Sequence, residues 1–384
     1  MNATTQPFIL KVPDAVLQDL RGRLQRARWP DEPPLPAWST GTSLAWLREL
    51  ATYWAEGFDW RAQESRLNAF EQYTVPLAGI RLHYLQVRGE GPAPLPLLLS
   101  HGWPGSVFEF LRFIPLLTQP SRHGGRAEDA FTVIAPSLPG YGLSFEPGQP
   151  RFGVEEMADA CLTLMRDVLG YTRWGTQGGD WGAFVTSRMA HLAPQHTVGL
   201  HLNFLPLRRD AAWVAHPSEA EQRYLGELAH FQKEETGYQW IQGTRPQTLA
   251  YGLTDSPVGL AAWIGEKFER WTDHDGDPLQ AVPRDELLAN LTLYWASGAI
   301  GSSFWPYHAR MHRPWPLPEG ASITVPMGHA AFPREILRPP RAMAERVFSD
   351  IRRWTEMPRG GHFAAMEQPE VLAEEVRAFF RPLR

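Results

Sequence analysis

Residues 178 to 182 read Gly178-Gly179-Asp180-Trp181-Gly182, and the flanking sequence reads as a buried strand running into a helix. Small residues two before and two after a central side chain let a strand-to-helix turn close without a clash, and they leave that side chain exposed at the apex. The central residue decides the chemistry. A serine there attacks acyl groups. An aspartate displaces a leaving group at an sp³ carbon and leaves an ester that water must then cleave. The acid at position 180 therefore points to an epoxide or alkyl halide rather than an ordinary ester.

The rest of the chain accommodates such an elbow. At 384 residues it is long enough for one large α/β domain with an insertion, or for two domains. A formal charge of -5 offers no basic surface suited to nucleic acid. The 33 glycines and 35 prolines fall below the share that marks a disordered chain. A single cysteine, Cys161, cannot form an internal disulfide, which suits a reducing compartment. It lies in the mostly apolar stretch 158–165 and reads as a buried structural thiol. The first twenty residues carry charges early and no long apolar run, so neither signal peptide nor membrane anchor is expected there. The expectation is a soluble, cytoplasmic protein.

The first seventy-odd residues read as amphipathic helices. Val12-Pro13-Asp14 resembles a helix start, with Asp14 a cap or first-turn acid and Val16, Leu17, Leu20 and Leu24 on one face. After a proline-rich turn, Thr42-Ser43 leads a second helix with Leu44, Leu47, Leu50 and Trp54. Residues 73–75 and 80–87 alternate as antiparallel strands do. Residues 95–100 and 131–135 are apolar runs ending in loops, the pattern of buried parallel strands, and 323–327 and 354–357 read as late strands. Strands separated by helical stretches argue for a mostly parallel sheet with helices on both faces. Between about 206 and 315 the chain turns helical and rich in Trp and Tyr, an insertion over the sheet edge, with Pro314 to Glu319 as the hinge back.

Four further segments carry chemistry. His362, in the glycine-flanked loop Gly360-Gly361-His362-Phe363 after a late strand, is free to project into a cleft as a general base. Glu335 stands 27 residues before it in Phe332-Pro333-Arg334-Glu335, in the order nucleophile, acid, histidine. Its task is to hold the imidazole tautomer and stabilise the imidazolium, although a residue in that place can also simply begin a helix. The loop His101-Gly102-Trp103-Pro104 follows an early strand, where it supplies one oxyanion N–H, that of Trp103. The second comes from Trp181, directly after the elbow acid. Pro104 takes a cis bond or a sharp turn. Tyr238 and Tyr307 lie in the helical insertion. Alone, each is more often a packing residue. Opposite an Asp elbow, a phenol with a pKa near ~10 stays protonated at neutral pH and can donate to the leaving oxygen of an epoxide.

These segments in this order resemble the microsomal-type and juvenile-hormone-type epoxide hydrolases of the α/β-hydrolase fold, and the likeness runs nearly end to end. It is carried by the leading segment from Phe8 through Trp60 to Leu82-His83-Tyr84, HGWPGS at 101–106, GGDWG at 178–182, LTDSPVGLAAWIGEKFERWT at 253–272, YW at 294–295 and RGGHFAAMEQPE at 359–370. The resemblance implies Asp180 as nucleophile, His362 as base, Glu335 as orienting acid (matching FPxE), and Tyr238 and Tyr307 as activators of the epoxide oxygen. The neighbours of Tyr307, Phe304-Trp305-Pro306, align less cleanly than the other segments. The expected organisation is an N-terminal extension over 1–75, an α/β-hydrolase core over 76–205 and 316–384, and a helical cap over 206–315. Mammalian members carry an N-terminal membrane anchor, so the start of this sequence suits a soluble, bacterial version. The implied partners are a small-molecule epoxide and water, with no organic cofactor, no metal and no nucleic acid; a homodimer is compatible with the chain. A haloalkane dehalogenase shares the Asp elbow but needs halide-binding indole donors, which Trp181 keeps open. A non-catalytic binding protein would be expected to show a broken triad.

Overall fold

A computed structural model describes residues 4–207, 215–318 and 320–384. Nine strands form one sheet: β1 (Gln6–Pro7), β2 (Gln72–Leu77), β3 (Ile80–Val87), β4 (Leu95–Ser100), β5 (Phe131–Pro136), β6 (Trp174–Gly178), β7 (Thr197–Leu202), β8 (Met327–Ala331) and β9 (Ile351–Glu356). Their spatial order is β1-β2-β3-β5-β4-β6-β7-β8-β9. The pairs β1–β2, β2–β3 and β3–β5 are antiparallel, and every pair from β5 to β9 is parallel. This is the mostly parallel, helix-covered sheet of the α/β-hydrolase fold. Because β4 lies between β5 and β6, the loops leaving the carboxyl ends of β4 and β6 open side by side, where open α/β sheets form their clefts.

Most elements follow the apolar periodicity. The helix Asp14–Gln25 buries Leu17, Leu20 and Leu24, with Val16 partly covered; Asp14 is a first-turn acid and makes no cap hydrogen bond. In the helix Leu44–Glu56, Ser43 is the N-cap and Leu47, Leu50 and Trp54 are buried, while Leu44 is half-buried. Burying each such leucine contributes about 1.5–3 kcal/mol. Strands β4 and β5 begin at the expected residues, and their side chains are almost wholly buried, as a central parallel strand requires. The two-residue β1 has no counterpart in the sequence reading.

The late strands fall elsewhere than expected. The run 323–327 contributes only an isolated bridge, Ile323 to Phe348, and the strand proper is Met327–Ala331. Pro326 has no N–H to give a ladder, which ends the expected run. The true strand, Met-Gly-His-Ala-Ala, reads poorly because its small residues answer a tertiary demand. A Cβ on Gly328 would lie 2.7 Å from the Phe379 ring that packs on it. The final strand begins at Ile351 instead of Trp354; as the sheet edge it is mostly half-exposed, so its arginines mask it. Cys161 is buried, and burial pushes its thiol up to about 12, so it is chemically inert.

Between β7 and β8 the described residues form helices Glu219–Glu234, Gly237–Thr244, Pro246–Asp255, Pro257–Trp271, Arg284–Ser297, Ile300–Ser303 and Trp305–His312. The proposed hinge at 314–319 ends at Glu319, which lies outside the described residues. The N-terminal helices lie against this layer. Trp54 Nε1 donates to Thr292 Oγ1 at 2.9 Å, Tyr53 OH to Asp285 at 2.9 Å, and Thr42 Oγ1 to the Ala262 carbonyl at 2.7 Å. Among the described residues no helix is long and apolar enough to cross a membrane.

Candidate active site

Asp180 sits at the turn from β6 into the helix Asp180–Leu192 with φ +46°, a conformation that Asp tolerates better than most residues. The close approach that permits this explains the glycine two residues on. A Cβ on Gly182 would lie 2.0 Å from the Ser100 carbonyl oxygen at the end of β4. The loop after β4 then folds over the acid. A Cβ on Gly102 would meet Asp180 Oδ1 at 2.3 Å, so glycine is what lets the loop backbone reach the carboxylate.

The Trp103 N–H donates to Asp180 Oδ1 at 2.7 Å. The Trp181 N–H lies in the first turn of the following helix, among the amides that a helix start leaves without an intrahelical partner. The Trp103–Pro104 bond is cis. His101 is buried, and burial drives its pKa down to about 4. Its Nε2 accepts from the Leu138 N–H at 3.1 Å, so it braces the loop as a neutral imidazole.

The helix Arg284–Ser297 locks this loop in a way the sequence did not reveal. Asn290 Nδ2 donates to the Pro104 carbonyl at 2.7 Å, and Tyr294 OH donates to the Gly105 carbonyl at 2.9 Å. Tyr294 belongs to the YW pair noted as a family segment; the signal was present, the role was not.

His362 follows β9 and Glu335 follows β8. The two loops run together through a bridge between Arg334 and Gly361, with the Arg334 N–H donating to the Gly360 carbonyl at 3.1 Å. No helix begins at Glu335. His362 Nδ1 lies 2.6 Å from Glu335 Oε1, and His362 Nε2 lies 3.5 Å from Asp180 Oδ2. Trp271, Phe204 and Phe363 close around the imidazole edge-on, with ring centroids at 5.1, 6.1 and 5.2 Å. Burial by itself lowers the pKa of His362, but the charges and hydrogen bonds of Glu335 and Asp180 prevail and raise it to about 10. The histidine loop is held from below by Glu367, which accepts from the Phe363 N–H at 2.9 Å and the Asp273 N–H at 2.8 Å; sequence reasoning left this acid unassigned.

A cavity of about 360 Å³ opens beside Asp180, lined by Trp181, Phe184, Phe204, Tyr238 and Tyr307 among others. The two phenol rings lie 5.7 Å apart, and both pack on Trp103. Burial, with Tyr238 and the Asp180 charge adding to it, holds Tyr307 well above the ordinary phenol range, so it stays a donor. Gln239 Nε2 donates to Tyr238 OH at 2.8 Å. All seven sequence-derived site residues thus converge, although they are spread over some 260 positions of the chain.

The profile described as "Epoxide hydrolase N terminus" matches residues 5–110, and that of the "alpha/beta hydrolase fold" matches residues 96–203. Epoxide hydrolase 1 of Oryctolagus cuniculus is 36% identical over 97% of this chain and 88% of its own length. The chain belongs to the epoxide hydrolase family. A protein of Stigmatella aurantiaca (strain DW4/3-1) that bears the epoxide hydrolase name provisionally is 46% identical over 98% of this chain and 85% of its own. Among solved structures, the juvenile hormone epoxide hydrolase of the silkworm Bombyx mori superposes with a TM-score of 0.90 at 31% identity, covering 100% of this chain and 95% of that one. The similarity covers almost the whole length, so the N-terminal helices and the helical layer are shared along with the sheet.

Proposed function

We propose that this protein opens an epoxide to a vicinal diol through a covalent ester on Asp180. The observation that carries the reading is the split environment of one carboxylate. Oδ1 accepts the Trp103 N–H, Oδ2 faces His362, and the carboxylate borders the aromatic cavity. Oδ2 attacks the less hindered epoxide carbon and the C–O bond breaks. The leaving oxygen takes a proton from the phenol pair Tyr238 and Tyr307, and the product is a hydroxyalkyl ester.

Hydrolysis then needs a neutral imidazole, and the ester itself provides one. Ionised Asp180 attracts the imidazolium across 3.5 Å by about 4–5 kcal/mol at an effective dielectric near ~20. Esterification cancels that attraction, so His362 falls from about 10 back toward the ordinary imidazole range. Neutral His362, oriented by Glu335, deprotonates a water that attacks Cγ of Asp180. The oxyanion forms at Oδ1 against the Trp103 and Trp181 N–H groups. Collapse expels the diol, which takes the proton from His362; the proton left on the Asp180 carboxyl returns to the imidazole. The phenolate has been restored by the proton that the imidazolium gave up on esterification. The aromatic walls favour an apolar epoxide, with the described helices between Glu219 and His312 as the lid over it.

A single-turnover reaction in ¹⁸O-water tests the covalent route. The first diol should carry unlabelled oxygen derived from Asp180, and label in the first-turnover diol would exclude the ester. Tyr238→Phe and Tyr307→Phe are each expected to slow ring opening by about 10²- to 10³-fold, the effect of deleting one oxyanion donor. Hydrolysis of a preformed ester should be nearly unchanged. A phenol whose loss leaves the alkylation burst intact does not serve the leaving oxygen.

A further inference from the structure

Asp180 and His362 also border a second, smaller chamber of about 20 Å³, whose walls include Ser100, Trp103, Glu109 and Gln177. A void needs about 10–15 Å³ to hold one water, so this one has room for a single molecule. Its walls are suited to water. The Ser100 hydroxyl is buried with no hydrogen-bond partner in the protein, a condition that buried hydroxyls rarely keep without an ordered water. Glu109 stands five residues after Pro104, outside every role assigned so far. Its carboxyl folds back beneath the loop, where a Cβ on Gly105 would lie 1.4 Å from Glu109 Oε1. Burial pushes Glu109 up to about 8, with the Asp180 charge adding to the rise and His362 opposing it.

We propose that this chamber holds the water that cleaves the ester, and that Glu109 orients it. The assignment rests on the Asp180 ester described above. The water donates one hydrogen to His362 Nε2 and the other to the Glu109 carboxyl, which leaves a lone pair directed at Cγ of Asp180. Only the proton bound for His362 is transferred; Glu109 neither gains nor loses one in the step. An ionised carboxyl is the stronger acceptor, so hydrolysis gains rate as Glu109 ionises.

Glu109→Leu and Glu109→Gln, followed by stopped-flow tryptophan fluorescence and intact-protein mass, test this. Glu109→Leu should leave the alkylation rate within about twofold and slow ester hydrolysis by about ten- to hundredfold, within the range for losing one positioned hydrogen-bonding group, so that the adduct dominates in the steady state. Glu109→Gln keeps an acceptor oxygen and should recover most of the hydrolysis rate at neutral pH, keeping the rise that belongs to His362 and losing the further rise near pH 8 that belongs to Glu109. Equal slowing of both half-reactions in Glu109→Leu would mean that Glu109 only packs the loop, and would overturn the proposal. So would hydrolysis unchanged in that variant. Should Glu109→Leu fail to fold, a hydrolysis pH profile of Glu109→Gln identical to that of the parent overturns it as well. The ester reading fails separately: a His362→Gln protein that gives no adduct removes the covalent route whatever Glu109 does.

Discussion

Asp180→Ala is expected to lower turnover by at least about 10⁴-fold and to give no covalent adduct with any epoxide. Among the described residues lining the cavity, Asp180 is the one carboxylate. Tyr238 and Tyr307 are donors, and the remaining cavity walls are mostly aromatic or aliphatic. The variant should still fold. Removing the carboxylate relieves contacts and introduces no clash with Gly102. Alanine at φ +46° costs on the order of 1–2 kcal/mol relative to a residue that tolerates the left-handed region. A thermal melt a few degrees below the parent, with native circular dichroism, would separate loss of chemistry from loss of fold. Retention of a few per cent of parental kcat/KM by a purified, contaminant-free variant would remove Asp180 from the role of nucleophile.

His362→Gln is expected to stop the reaction halfway. In the proposed route ring opening uses Oδ2 of Asp180 and the phenols, whereas ester cleavage needs a base, and loss of a positioned general base lowers a rate by about 10²- to 10⁴-fold. The ester should therefore accumulate, visible as a mass increase equal to that of the epoxide. The pH dependence follows with a definite sign. In the resting enzyme His362 keeps its proton up to about pH 10. In the ester, without the Asp180 charge, it releases that proton at lower pH. Hydrolysis in the parent should then rise with pH and level off well below pH 10, and this dependence on His362 should vanish in His362→Gln. Single-turnover rates across pH measure both. Steady diol production by His362→Gln with no adduct would refute the role given to the histidine.

The site was legible in the sequence wherever its geometry is made locally. The elbow is one case, because the near-contact of residue 182 with the Ser100 carbonyl admits no side chain there. The glycine-flanked loop that carries His362 is another. Glu335 was half legible. Its place in the order of the chain was correct, but the strand leading to it was set four residues too early. Pro326 ends the apolar run, and the real strand is built of small residues that make room for Phe379. Tyr238 and Tyr307 could be singled out only beside the acid elbow, since nothing in their own neighbourhoods distinguishes a donor from a packing ring. Glu109, Glu367, Asn290 and the task of Tyr294 were not legible. Glu367, Asn290 and Tyr294 act through partners reached by folding, such as the Gly105 carbonyl, 189 residues from Tyr294, and the task proposed for Glu109 depends on a chamber that folding builds.

By itself the sequence determined which residues are the candidates for covalent chemistry. An acid in a turn that only small neighbours permit, with a glycine-flanked histidine downstream, marks the proposed nucleophile and base through sterics acting within a few residues. Only the tertiary structure decided how those groups work together. Sheet order brings the loops of β4, β6, β8 and β9 to one edge, and the helical layer presses two phenols onto Trp103. One oxygen of Asp180 is thereby turned to an amide and the other to His362. Distances of a few ångströms between residues separated by scores of positions depend on strand register and packing, and both belong to the whole fold.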